Sequence, residues 1–540
     1  MIALALHVLV PPDASAQRVV GPWEDATIAP RGRLRAGITL RFEQWKERFS
    51  RFDSSREALG TDLTLDSLGV GVLPFVGGLS PALSTLTGNP APPLTLGSLE
   101  THVDVTQTTT PISLEYGLTS KLGLQVLIPY VKNRVHVLAN VNPNGIGGTI
   151  GFNPAREIAG ARQQNDLVTS ALGNASSTLS SELTRCTGSS DPTCAAINAD
   201  RTGAMALVQA ATEVSSALAT VYGTQTAVGS HYVPVSGSAL HTAVDARLTN
   251  LNTQFRTFLG APPSGEWISD RPVAAVPLAA GGLAALFSDP TFGILAHPLG
   301  DYEHSHLGDI EIGAKIQLID TFGPNATAEL PRFGALRLAA AGIYRLGTAQ
   351  LDLPHDFTDV GTGDRQADIE LRGFADLALG ARFWTSAVVR LGLQQPDRLV
   401  RRVTDDPRRP FPELVHEFEL ERDLGDVVEF EVAPRYVPND EFAISGMYRF
   451  RSKGADSYSG HLEATSVDGT PLTIDAAALG VATAQKEQVL GFAVTYSTVR
   501  ANARRTAKWP LEIWFMHTQV MSGRGVPAMQ MNGIGLRIYR

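Results

Sequence analysis

The strongest constraint in this chain is a strict two-residue alternation, cleanest at Ile310–Leu318, which reads I-E-I-G-A-K-I-Q-L. Successive side chains of a strand point to opposite faces. Ile310, Ile312, Ala314, Ile316 and Leu318 therefore share one face, and Glu311, Gly313, Lys315 and Gln317 share the other. One such strand suits a soluble antiparallel sheet with one face on a core. Here the pattern recurs about twelve times, in runs mostly long enough to span a bilayer when tilted. It predicts an all-β fold: a transmembrane, antiparallel, up-and-down β-barrel of about twelve strands, apolar toward lipid and polar toward the lumen.

Composition agrees with that reading. Charged residues make up 18% of the 540, and the mean hydropathy is zero, as expected where half of each spanning strand is polar. No apolar run reaches the roughly 18 residues of a membrane helix. The net charge of -9 argues against a nucleic-acid partner. Residues 1–16 combine a short apolar run with a small-residue site at Ala14-Ser15-Ala16, which predicts a secretory signal cleaved before Gln17, although no Lys or Arg precedes the run. In an exported chain, the two cysteines Cys186 and Cys194 predict one small disulfide.

Residues 17–31 read as a short periplasmic segment, and residues 32–138 as barrel strands 1–3. In the first strand Leu34, Ala36, Ile38, Leu40 and Phe42 face lipid, while Arg33, Arg35, Arg41 and Glu43 face inward. The apolar loop piece around Phe75 is expected in the barrel mouth or against lipid. In the third strand the outward set runs from Leu122 to Tyr130 and continues as Lys132, Arg134 and His136. That basic trio belongs either at the height of outer-leaflet phosphates or on a solvated strand end.

The turn and strand at Gly117–Tyr130 (GLTSKLGLQVLIPY) and the return strand at Leu307–Lys315 (LGDIEIGAK) carry a family resemblance. Both are similar to hairpin motifs of the phenol meta-pathway and hydrophobic-compound transporter barrels of Gram-negative outer membranes. The resemblance covers the barrel, and it implies passage of small hydrophobic compounds through an outer-membrane channel. What departs from it is the stretch between the motifs. From about residue 139 to residue 306 the period shifts toward 3.6, with apolar seams at Ile197–Val221 and Val244–Phe258 and a weaker segment at Ala155–Thr184. These predict a helical extracellular insertion of three helices, the first two clamped near their junction by Cys186–Cys194. Their seams are thin, so the helices need one another or the barrel for stability.

Residues 307–540 supply strands 4–12. Short turns at Gly117–Lys121, Gly380–Arg382 and Pro438–Glu441 alternate with long loops, the inside-outside asymmetry of such barrels. The inward parity collects the lumen candidates: Arg33, Arg35, Arg41, Glu43, Glu311, Lys315, Arg337, Arg345, Asp368, Glu370, Arg372, Asp376, Arg390, Glu429, Glu431, Arg435 and Arg449. They describe either a salt-bridged interior or a selective conducting path, and both can hold at once. The expected partners are outer-membrane lipid and lipopolysaccharide, the barrel-assembly machinery and a small solute. The chain ends in Tyr539-Arg540, where barrels of this class commonly end in Phe.

No cofactor is expected. His304 and His306, beside Asp301 and Glu303, are the weak metal candidate. His517 shares lipid-facing parity with Phe515 and lies near Asn532 by hairpin arithmetic, but no Ser has the matching face on that hairpin, so no enzyme is expected. The favoured function is a channel for small, hydrophobic or amphipathic molecules, gated by extracellular loops. The alternatives are a surface binding or adhesion protein that presents the insertion and, third, a lipid-active hydrolase.

Overall fold

In the computed structural model, the described residues are 21–540 except 91, 145–146, 159, 262, 266, 268–273, 275–276, 279, 323–330, 405 and 407. The alternating segments form one closed wall. Its strands are β1 (Leu34–Trp45), β2 (Leu99–Gly117), β3 (Leu122–Val141), β4 (Ile310–Asp320), β5 (Leu336–Leu346), β6 (Asp368–Ala378), β7 (Phe383–Gln394), β8 (Val427–Tyr436), β9 (Phe442–Lys453), β10 (Gln485–Ser497), β11 (Leu511–Arg524) and β12 (Gln530–Tyr539). Each pairs antiparallel with its sequence neighbour, and β12 returns to β1 from Arg35↔Tyr539 to Gln44↔Gln530. Closure is what hydrocarbon demands, because an open strand edge there would leave backbone groups unpaired.

Side-chain parity follows the sequence pattern. Outward residues are apolar and exposed, among them Ile38 at 42%, Leu371 at 50% and Phe492 at 49%. In water so continuous an apolar belt would be prohibitive, so it marks the lipid-facing exterior. Inward residues on the same strands are buried, with Asp368 at 0% and Arg435 at 2%.

β2 and β3 are the longest strands, at 19 and 20 residues. Beyond its pairing with β4, β3 carries an extra strand, Tyr302–Leu307, in register from Tyr130↔Leu307 to Val135↔Tyr302. On this extension Lys132 and Arg134 meet Glu303 at 2.5 and 2.6 Å, and His136 meets Asp301 at 2.7 Å. The basic trio is thus matched by its neighbour's acids. The two hairpin motifs of the sequence are also neighbours in space, since Gly308 N–H donates to Pro129 O at 2.9 Å.

A helical cap grows from the long-loop end. It comprises α1 (Ser80–Thr87), α2 (Ala161–Arg185), α3 (Arg201–Tyr222), α4 (Ala239–Leu259) and α5 (Ala280–Ser288). The seam residue Ile197 belongs to a separate short helix, Ala195–Ala199, because the Asp200 side chain accepts Gly203 N–H at 2.8 Å and restarts the chain as α3. Cys186 and Cys194 form the disulfide, with Cα atoms 5.4 Å apart. Among the described residues α3 alone is long and apolar enough to cross a bilayer, yet Ala204, Leu207, Ala211, Val214 and Leu218 bury its seam in the cap.

The loop around Phe75 supplies the apolar surface that the thin helical seams need. It enters neither the barrel mouth nor lipid; Leu73, Val76, Leu79, Leu83 and Leu86 share one core with the insertion helices. The Phe75 ring lies 6.3 Å from Tyr232 and 5.5 Å from Phe292. Thin helical seams gain the apolar partner they lack on their own. A second tie is Arg402, whose buried guanidinium donates to Ile294 O at 2.6 Å and Leu295 O at 3.1 Å, fastening the β7–β8 loop to the cap. The expected signal, residues 1–16, lies outside the described residues.

Candidate functional site

Residues 21–31, expected as a periplasmic segment, run inside the barrel instead. Trp23 Nε1 donates to Ser445 Oγ on β9 at 2.9 Å, and Ala26 N–H to the Asp376 carboxylate on β6 at 3.2 Å. Ala29 N–H donates to Glu115 on β2 at 2.6 Å, Lys315 Nζ on β4 to Asp25 O at 2.5 Å, and Arg537 on β12 to Gly21 O at 3.1 Å. Glu24 sits between Arg372 of β6 at 2.9 Å and Arg390 of β7 at 3.2 Å. Only a segment within the lumen can reach so many strands. The physical reason is charge satisfaction: inward arginines and carboxylates need partners, and this polar stretch supplies them.

The doorway is Gly117, the first residue of the GLTSKL turn. A Cβ there would lie 2.1 Å from Pro30 O and 2.3 Å from Ala29 O. Gly32 N–H donates to Gly117 O at 2.7 Å as the chain passes. This glycine is required by close approach of two backbones, not by its torsion angles.

Eight of the seventeen sequence-derived lumen residues join one ion-pair network through Glu24, and others form separate pairs. Arg345 contacts Glu311 at 3.1 Å, Asp368 at 2.5 Å and Glu370 at 3.3 Å. Arg372 meets Glu311 at 2.9 Å and pairs with Glu370; Arg390 meets Glu431 at 3.2 Å and pairs with Glu429. Arg337 contacts Asp320 at 3.2 Å and Asp376 at 3.4 Å, and Arg35 contacts Glu115 at 2.8 Å. Arg435 lies 3.7 Å from Asp25, and Lys315 stacks 3.9 Å from the Phe374 ring.

The β1–β9 side differs. Arg449 has one long contact with Glu487, at 3.4 Å, and among the described residues Glu43 accepts only from Thr109 Oγ1, at 3.2 Å. Among the described residues Arg33, Arg41 and Arg451 make no ion pair within 4.0 Å. Arg451 follows Arg449 by two and shares its inward parity.

The lumen is not uniformly polar either. Met447, Val489, Trp514, Met516, Val520 and Met531, from β9 to β12, form one buried inner cluster with Trp23. A signal was present in the sequence, because β11 reads L-E-I-W-F-M-H-T and is apolar on both parities. Trp514 lies along the wall over Gly535, where a Cβ would come within 2.2 Å of its ring. A cavity of about 170 Å³ separates Trp23 and Glu24 from the β2–β4 wall. A larger one of about 390 Å³ opens toward the long loops, between Arg390, Arg449, Arg451 and Lys453.

Two other candidates do not assemble. Asp301 and Glu303 turn away from His304 and His306 to pair with His136, Lys132 and Arg134, and among the described residues no cluster of three metal-ligating side chains exists. His517 Nδ1 and Asn532 Oδ1 are 2.9 Å apart on the outer face, with the Phe492 ring beside them. In the loops, burial pushes the Asp359 carboxyl up to about 7, aided by Asp352 and Asp356. Burial and a neighbouring Asp364 push Asp309 up to about 6.

No protein-family model matches the chain, and no curated protein sequence matches it. Solved structures do. An outer-membrane channel from Pseudomonas putida F1 aligns over 97% of this chain and 100% of its own, with 8% identity and a TM-score of 0.41. The toluene transporter TbuX of Ralstonia pickettii aligns over 94% and 89%, with 7% identity and a TM-score of 0.28. The translocator domain of the autotransporter NalP from Neisseria meningitidis aligns over 94% and 87%, with 5% identity and a TM-score of 0.29. The closed twelve-strand wall, polar network within and apolar belt without, makes the protein an outer-membrane β-barrel of the Gram-negative type.

Proposed function

We propose that the protein is an outer-membrane channel for small hydrophobic or amphipathic molecules, closed at rest by residues 21–31. The observation that carries this reading is the plug itself. A segment that fills the lumen without belonging to the wall can leave without breaking any wall hydrogen bond, so the barrel can open and stay folded. The apolar inner face of β9–β12 gives a hydrophobic body a surface to follow, and the cap over the long-loop end is a second restriction.

The test is planar-bilayer recording of the full chain beside a variant lacking residues 21–31. The full chain should show rare or small conductance steps and the variant stable, larger ones. Silence from both, with folding confirmed by heat-modifiable gel migration, refutes the channel and leaves surface binding through the cap as the better reading.

A further inference from the structure

The plug carries a chemical description of what it displaces. Trp23 places an indole among the methionines of the inner wall, and the adjacent Glu24 places a carboxylate between Arg372 and Arg390. Together they are an aromatic body bearing one carboxylate, bound in the lumen at both ends. Resting on the channel reading above, we infer that the lumen takes small amphipathic carboxylates, which compete with the Trp23–Glu24 pair.

Two further observations support that ligand class. The larger cavity, on the long-loop side of the plug, is lined by five basic side chains, Arg449 and Arg451 among them, against the three carboxylates of Asp364, Glu370 and Glu429. Of these, Arg451 makes no ion pair among the described residues, and the Nε of Arg449 is buried without a hydrogen-bond partner. Guanidinium forks of this kind match a carboxylate, whereas an entirely apolar solute would leave them desolvated and unpaired. An organic cation would be repelled.

The second observation is spacing. Arg451, Arg449, Met447 and Ser445 follow one another along the inner face of β9, so a basic pair gives way to an apolar residue and then to the hydroxyl that holds Trp23. Inner-face neighbours are about 6.6 Å apart. That separation suits a carboxylate on Arg449 or Arg451 and a ring or short alkyl body against Met447. A solute descending this strand reaches the plug with its charge beside Arg390 and its body beside Trp23.

Three probes of one size separate charge from hydrophobicity: 3-phenylpropionate, 3-phenylpropan-1-ol and 3-phenylpropylamine. In bilayers holding the full chain, 3-phenylpropionate should raise the open fraction at about tenfold lower concentration than the alcohol, the discrimination expected when a charged hydrogen bond is gained. The amine should do nothing. Arg451→Gln should raise the required concentration of the acid, and Glu24→Gln should lower it. Arg449→Gln replaces Arg451→Gln if that variant loses heat-modifiable migration. If the channel conducts but acid and alcohol act alike, or if the arginine variant responds like the parent, the inference is overturned while the channel stands. If nothing conducts, even without the plug, the channel reading fails. Calorimetric titration of 3-phenylpropionate into the folded protein then decides alone: saturable binding weakened by Arg451→Gln upholds the carboxylate site, and no heat overturns it.

Discussion

Replacing Trp23 by Ala tests the plug without touching the wall. The Trp23 side chain is 7% exposed and sits in the inner apolar cluster, and its Nε1 donates to Ser445 Oγ at 2.9 Å. Truncating a buried Trp costs about 3–5 kcal/mol, of which the hydrogen bond accounts for about 1. The undocked lumen is water-accessible, so the lower end of that range applies. About 3 kcal/mol multiplies the ratio of undocked to docked plug roughly 100-fold, since each 1.4 kcal/mol is a factor of ten. Trp23→Phe keeps a ring and loses the hydrogen bond, for a loss of about 1 kcal/mol and a shift of roughly fivefold. Open fractions from single-channel records should rise in that order, Phe before Ala. In an Ala26→Cys background, thiol labelling of the plug should accelerate in the same order, because the native cysteines are tied up as a disulfide. If all three proteins fold and neither open fraction nor labelling rate moves, the N-terminal segment is a fixed part of the wall and no plug.

Gly117→Val drives a Cβ into Pro30 O, 2.1 Å away, where backbone cannot yield. The barrel should still fold, conductance should approach that of the plug deletion, and combining the two changes should add nothing. For topology, Thr257→Cys on exposed α4 should react with an impermeant thiol reagent on intact cells, and Asn439→Cys in the exposed short turn should not; the opposite pattern inverts the barrel. In the β5–β6 loop, Asp359 accepts Leu353 N–H at 2.8 Å, and its carboxyl titrates at about 7 rather than 3.8. A raised folded-state value means the loop is most stable below about pH 4 and loses that stability as pH rises through about 7. Amides in this loop should therefore be less protected from hydrogen exchange at pH 8 than at pH 5, and Asp359→Asn should remove the difference.

The wall was legible because a one-residue slip would turn Arg41 or Glu311 onto lipid, so parity and register are fixed strand by strand. The disulfide was legible from two cysteines in an exported chain. The plug was not. Its GPWEDATIAP stretch has no period and no local partner, and its meaning lies in Asp376, Arg390 and Ser445, more than 300 residues away. At Phe75 the need of thin helical seams for an apolar partner was legible, but not the ring partners Tyr232 and Phe292, which come from distant segments. The methionine wall lay within reach, since a barrel strand apolar on both parities, as β11 is, must put one apolar face on the lumen.

The junction at Gly117 also bears on the order of assembly. The plug runs directly into β1, which begins at Leu34, and β1 pairs with both β2 and the C-terminal β12. That last pairing is the final seam, formed by the end of the chain. Residues 21–31 are anchored at that seam, because Gly32 and Leu34 are bonded to Gly117 and Arg540. The segment can therefore dock while the sheet is still an open trough, with β12 folding over it like the flap of an envelope. Its arginine and carboxylate contacts then become available to organise the inner face of the trough before the edges meet. A chain begun at β1 should consequently seal more slowly than the complete one, and pulse-labelled assembly intermediates would show the delay.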